Sequence, residues 1–176
     1  MYKLLISCLF SLCLVQEERA YTWSDDLQLT WEDFKGKPSY GSTVVAVTAS
    51  GISFGFSTKM SENKLVDYDA FVDAHFYPDK SWYIKEHANA IILDHERLHF
   101  DITELHARKF RKRIAQTKFT LKISDQMERI HTAINDELKQ MQQQYDLDSN
   151  HSQNVAKQKE WQQRIKLELE KVAYYK

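Results

Sequence analysis

The stretch that decides the fold is Leu93–Glu104, with the sequence LDHERLHFDITE. It contains His95, Glu96 and His99 in the pattern H-E-x-x-H. On a helix, residues four apart lie on the same face, so the two imidazoles could hold one metal ion with the glutamate beside them. The alternative is a pair of core histidines with a chance glutamate between them.

The histidines fall on the apolar face of the predicted helix. The 3.6-residue period predicts this helix over about residues 82–116. At 100° per residue, His95 and His99 lie in the middle of that face, and Glu96 lies at its border. Buried imidazoles need polar partners, and a shared Zn²⁺ is one such partner. The rest of the apolar face is Ile84, Ala88, Ile91, Ile92, Leu98, Ile102, Leu105, His106 and Phe110.

The same helix offers no third ligand. A metzincin extension needs a glycine and a third histidine at fixed offsets after the second histidine, and this chain has Leu105 at the position of the third histidine. His106 lies about 10 Å from His99 along the helix axis, so we expect it in the core or between helices. Asp101 and Glu104 point away from the metal face and are predicted to be solvated or in other contacts.

Two further helices are predicted, over about residues 124–145 and 152–174. If the first two helices pack antiparallel about a turn near residue 120, residues 141–145 lie opposite His95 and His99. The same packing places His131 far from His99. The chain then leaves the second helix as DLDSNH, residues 146–151, beside the proposed metal.

This loop supplies the predicted third ligand, His151. Asp148 is the alternative, either as a ligand or as a carboxylate that holds an imidazole N–H, and Asp146 is the next candidate. The remaining interpretation of DLDSNH is a polar turn with an N-cap for the third helix. Tyr145 could stabilise an oxyanion near the metal, although its spacing suits core packing equally well.

Before the helices the pattern is strand-like, from Tyr21 to about Pro78. A turn is predicted at Ser61–Asn63, between two strand-forming runs. The sequence therefore predicts an α+β fold, with an N-terminal antiparallel β meander and a three-helix C-terminal part that carries the active-site helix. The runs with strand character are Leu27–Trp31, Thr43–Met60 and Lys64–Tyr77.

Composition narrows the class of protein. The chain has 176 residues, of which 43% are hydrophobic, and this suits one domain. The net charge of −1 gives no field to attract nucleic acid. The basic run RKFRKR, residues 108–113, is predicted to be a solvated helix end, and no nucleic-acid partner is expected.

The N-terminus resembles a secretory signal peptide over residues 1–20. Leu4–Val15 is apolar except for two serines and is too short to span a bilayer. We therefore expect a periplasmic or secreted protein, one domain over residues 21–176, and no membrane span in the mature chain. Both cysteines, Cys8 and Cys13, lie in the predicted signal, so His, Asp or Glu must bind any metal.

With these residues in hand, the chain resembles a bacterial family called domain of unknown function 922, described as predicted secreted zinc-dependent proteases. Two positions depart from the expected pattern: His106 stands in place of an aromatic residue such as Tyr, and Ser152 in place of Gly. The resemblance implies a zincin-like enzyme but supplies no substrate. The matching stretches are LTWEDFKGKP (29–38), SW (81–82), LDHERLHFDITELHARKFRKR (93–113), YDLDSNHSQN (145–154) and QKEWQQRI (158–165).

The sequence thus predicts a zinc peptidase that acts on a peptide or protein. His95, His99 and His151 would hold Zn²⁺, and Glu96 would act as general base. An edge strand from residues 43–76 would hold the substrate in extended form. The alternative function is a non-catalytic, metal-stabilised binding module of the cell envelope.

Overall fold

The structure is a computed structural model that describes residues 19–39 and 44–176, so nearly all of the predicted signal peptide lies outside it. Strands precede helices in the described chain, which confirms the predicted α+β class. Short 3₁₀ helices interrupt the connections. The elements are β1 (Tyr21–Thr22), β2 (Ala46–Val47), β3 (Ser50–Ser61), β4 (Lys64–Phe76), β5 (Trp82–Tyr83), α1 (Ala90–Gln116), α2 (Ile123–Ser149) and α3 (Val155–Lys171).

The strands form two small antiparallel sheets. β4 lies between β1 and β3 in the larger sheet, and β2 pairs with β5 in the smaller one. The predicted turn at residues 61–63 is confirmed as the end of the β3–β4 hairpin. Glu62 and Asn63 have φ values of 47° and 60°, as a two-residue turn of type I′ requires.

The first predicted strand is wrong. The alternating run Leu27–Trp31 forms no strand, because the chain turns into a 3₁₀ helix over Trp31–Asp33. The Asp33 carboxylate closes this turn by accepting the Thr30 N–H at 2.7 Å.

The first long helix also begins later than predicted. Residues 82 and 83 are drawn into β5 by pairing with β2. The helix begins at Ala90, where the Asn89 side chain accepts the N–H of Ile92 at 3.0 Å.

Helix α1 is central, with apolar neighbours on two sides. One cluster joins it to the sheet through Phe100, Ala107 and Phe110. The other joins it to α2 and α3 through Leu98, Ile102 and Leu105. None of the described helices has the length and apolar character needed to cross a bilayer.

The sequence predicts Asp101 and Glu104 to be solvated or in other contacts, and both make contacts within the protein. Glu104 is only 2% exposed, and its carboxylate accepts hydrogen bonds from Arg108 Nε at 2.8 Å and Arg111 at 3.2 Å. Asp101 accepts the Trp23 indole N–H at 2.9 Å, and burial raises the pKa of its carboxyl group.

The basic run at residues 108–113, predicted to be a solvated helix end, instead has Arg108 buried and its other basic side chains half-buried. Arg111 donates to the backbone carbonyls of Val72 and Tyr175, and Arg113 pairs with Glu137. These arginines tie α1 to β4, to α2 and to the C-terminal residues.

Glu104→Gln should destabilise the protein by about 3 kcal/mol, because Arg108 would keep a buried charge without its partner. Urea unfolding would measure the loss. Glu137→Gln is the matched control, since its pair with Arg113 is 38–42% exposed in the side chains and should contribute about 1 kcal/mol or less. Equal small losses in both variants would contradict this account of the buried pair.

Candidate metal centre

Three potential metal ligands converge where α1 meets the last turn of α2. The Nε2 atoms of His95 and His99 lie 3.1 Å apart. Each also lies close to Asp146 Oδ1, at 3.1 Å from His95 and 3.0 Å from His99. Among the described residues, these three side chains form the group of His, Cys, Asp and Glu residues whose ligand atoms lie close enough together to hold one metal ion.

Helical spacing explains why these side chains meet. His95 and His99 are one turn apart on α1, as the H-E-x-x-H pattern predicted. Asp146 follows Gln142 by one turn on α2, and both residues face α1. Helix α2 continues to Ser149 instead of ending at residue 145, and this places Asp146 on a helix rather than in a loop.

The end of α2 is fixed locally. The Ser149 hydroxyl donates to the Tyr145 carbonyl at 2.7 Å, and Asn150 then takes a left-handed conformation that ends the helix. Local periodicity does not predict that Asp146 lies on the helix, because the apolar stripe of α2 ends at Tyr145. The four-residue spacing of Asp146 from Gln142 was the available signal.

His151 lies beside this cluster but outside its closest contacts. Its Nδ1 is 3.9 Å from Asp146 Oδ1, and its side chain is 62% exposed. The structure therefore places Asp146 where the sequence predicted His151. The role of His151 as a ligand stays a prediction.

Asp148 does not belong to the cluster, which corrects its assignment as an alternative ligand or imidazole partner. It lies two residues beyond Asp146 on α2, so it points in another direction. Its two oxygens accept hydrogen bonds from Gln144 Nε2 at 2.7 Å and from the Trp161 indole at 3.0 Å.

Tyr145 supports the imidazoles by packing. Its ring is fully buried and stacks on His95 with centroids 4.5 Å apart, and it meets the edge of His99 at 5.0 Å. Burial raises the pKa of its hydroxyl group, as do the nearby carboxylates. Of its two predicted roles, these contacts favour core packing over an oxyanion role.

Two other histidines lie away from the centre, as predicted. His106 is buried, its Nδ1 lies 2.8 Å from the Ile102 carbonyl, and burial lowers its pKa to about 4. His131 packs against the rings of Phe54 and Phe110.

The electrostatics of the cluster favour a cation. Burial alone would raise the pKa of Asp146, but the hydrogen bonds and charges of His95 and His99 outweigh it and hold that pKa well below its ordinary value. Burial alone would lower the pKa of His99, but Asp146 and Glu96 raise it. An ionised carboxylate thus faces two imidazoles, with a second carboxylate nearby.

The donor set also fits zinc. Two imidazole nitrogens and a carboxylate oxygen are common zinc ligands, with bonds of about 2.0–2.2 Å. Atoms that share a tetrahedral ion at such distances lie about 3.3 Å apart. The three separations of 3.0–3.1 Å are close to this value, so the side chains need only small movements to hold the ion.

The cluster borders an open cleft with a volume of about 910 Å³. Glu96, which is 4% exposed, reaches the same cleft, and no described residue gives its carboxylate a hydrogen bond or ion pair. The Thr48 hydroxyl donates to the Glu96 carbonyl at 3.1 Å, which attaches the strand segment to α1. Residues 44–51 line one side of the cleft, and the last turns of α2 line another.

Fold and cluster together define an α+β protein with a candidate metal centre on an H-E-x-x-H helix. The family model described as "Bacterial protein of unknown function (DUF922)" matches residues 45–152, and the chain belongs to this family. The match spans β2 to α2 and includes His95, Glu96, His99 and Asp146. Neither the curated proteins nor the solved structures give a match.

Ser152→Gly should stabilise the protein by about 0.5–1 kcal/mol, because the left-handed backbone costs serine more than it costs glycine. Ser152 has a φ of 70°, at the position where the sequence analysis expected Gly. Thermal and urea unfolding would measure the gain. Ser57→Gly, in the extended strand β3, is the control and should lower stability. A loss at both positions would argue against strain at Ser152.

Proposed function

We propose that this protein is an exported zinc-dependent peptidase. The observation that carries the proposal is the meeting of His95, His99 and Asp146 at 3.0–3.1 Å, beside Glu96 and at the edge of an open cleft. A structural zinc site fills all its positions with protein ligands, whereas a catalytic site has three protein ligands and one open position. Three converging donors at a cleft correspond to the catalytic arrangement.

Zinc, when bound, would lower the pKa of a water molecule and polarise a peptide carbonyl. Glu96 would accept the proton from that water and deliver it to the leaving amine. Its carboxylate suits this work because no described side chain already occupies it. Asp146 would bind the ion as a carboxylate.

The proposed surface for binding substrate is the segment that includes β2 and the start of β3. Val45 and Ala49 direct their carbonyls into the sheets, where they accept the N–H groups of Ile84 at 2.8 Å and Tyr77 at 2.9 Å. Backbone groups of an extended chain alternate in direction. The even-numbered residues of this segment therefore turn their backbone groups away from β5 and β4.

Ala46 and Ser50 are such residues, and both line the cleft. Their N–H and C=O groups are available to an added strand, which is how an extended peptide binds to a sheet edge. The cleft thus suits a polypeptide in extended form, held by its backbone beside Glu96. The sequence likewise predicts that an edge strand within residues 43–76 would hold an extended substrate.

Zinc content is the first test. Purified mature protein should hold about one zinc ion per chain, and His99→Ala should lose most of it. Asp146→Ala should also lose zinc, whereas His151→Ala should lose it only if the imidazole completes the site. Asp136→Ala, an exposed position on α2, is the control. Failure of the parent protein to take up zinc from excess metal would refute the metal centre.

Hydrolysis is the second test, and it separates the enzyme from a metal-stabilised binding module. Glu96→Gln should keep its zinc while cleavage in a peptide library falls by about 10²–10⁴-fold, the usual contribution of a general base. Elemental analysis and product detection by mass spectrometry would give the two readouts. A zinc-loaded parent that cleaves no peptide would favour the binding module.

A further inference from the structure

His95 and His99 differ in the contacts of Nδ1, the ring nitrogen that does not contact Asp146. His99 Nδ1 contacts Gln142 Oε1 on α2. The amide nitrogen of the same glutamine donates to the backbone carbonyl of His99 at 2.9 Å. One side chain therefore contacts both the ring and the backbone of a single residue.

These two contacts fix which end of the Gln142 amide faces which group. A backbone carbonyl only accepts hydrogen bonds, so the NH₂ end of the amide must face the carbonyl of His99. The oxygen end then faces Nδ1, and this contact is a hydrogen bond only if Nδ1 carries the proton. A metal ion held by Nε2 would take the lone pair of that nitrogen, so the ring of His99 would then carry its proton on Nδ1, facing Oε1.

Neighbouring hydroxyl groups reinforce this orientation. The Thr103 hydroxyl donates to the same His99 carbonyl at 3.1 Å and lies 3.3 Å from Gln142 Nε2. Ser50, on the cleft side of β3, contacts Thr103 Oγ1 at 2.7 Å. A reversed amide would set its oxygen against the His99 carbonyl, where neither group can donate, so the hydrogen bond to that carbonyl would be lost.

His95 provides an internal contrast. Its Nδ1 is buried and has no hydrogen-bond partner among the described residues. Its ring is held by stacking on Tyr145 instead. The direct amide contact is therefore specific to His99.

We propose that Gln142 is a positioning residue that accepts a hydrogen bond from Nδ1 of His99 and so directs Nε2 toward the metal. The inference rests on the proposed metal centre. Partners that hold the second nitrogen of a ligating histidine typically contribute about 10- to 100-fold to metal affinity. Gln142 would supply that contribution from α2.

The hydrogen bond between Nδ1 and Gln142 can be read by NMR in zinc-loaded, ¹⁵N-labelled protein. The His99 ring should show a protonated Nδ1 whose hydrogen exchanges slowly with water. Gln142→Glu keeps an acceptor at the same place and should preserve the slow exchange. Gln142→Leu removes the acceptor and should speed the exchange, while the signals of His95 stay unchanged.

Zinc affinity, measured by competition with a chelator, gives the second readout. Gln142→Leu should bind zinc about 10- to 100-fold more weakly than the parent, and Gln142→Glu should restore most of the affinity. Gln143→Leu is the matched control, because Gln143 is the adjacent exposed residue and lines the same cleft. Circular dichroism would verify that each variant is folded.

The proposal is overturned if the Nδ1 hydrogen of His99 exchanges equally fast in the parent protein and in Gln142→Leu, or if Gln142→Leu binds zinc as tightly as Gln143→Leu. Its failure is distinguishable from failure of the proposed function. A parent that binds zinc with the same affinity as Gln142→Leu would remove the role of Gln142 and leave the metal centre. A parent with no zinc affinity would remove the metal centre itself, and a zinc-loaded parent that cleaves no peptide would remove only the enzyme.

Discussion

The contact on which the structure of the site depends is that of Asp146 with the imidazoles of His95 and His99. Two polar rings on the apolar face of a central helix would otherwise be buried at a large cost in solvation. The carboxylate oxygen at 3.0–3.1 Å offsets that cost and keeps its charge in doing so. It also fixes the packing of the last turn of α2 against α1, and that packing sets one side of the cleft.

The surroundings of α1 explain why so many polar residues lie on a buried helix. The sheet covers one side of α1, and α2 and α3 cover another, so little of the helix surface is open to solvent. Glu104 is therefore neutralised by Arg108 and Arg111 inside the protein, and Asp101 is held by the indole of Trp23. These buried pairs do little to raise stability, but the removal of one partner is costly. They hold α1 in the position that the metal ligands require.

The candidate centre draws groups from α1, from α2 and from the strand segment. Helix α1 supplies the two imidazoles and Glu96, and α2 supplies Asp146 together with the amide of Gln142. The strand segment reaches the same place through Ser50, which joins the hydroxyl and amide groups around the His99 carbonyl. A peptide bound along this segment would therefore lie beside the network that orients His99.

The sequence by itself determined what depends on local spacing. The period of two in Lys64–Tyr77 and the period of 3.6 around His95 and His99 gave the order of strands and helices and the face of α1 that carries the H-E-x-x-H residues. The resemblance to the DUF922 family followed from the same residues and was confirmed.

Tertiary structure decided the rest. Pairing with β2 removed residues 82–83 from the predicted helix, and burial on two sides drew Arg108, in the predicted solvated end of α1, into an internal ion pair with Glu104. The last turn of α2 placed Asp146 in the position predicted for His151, because helix ends depend on capping contacts and on packing against α1, which local periodicity does not encode.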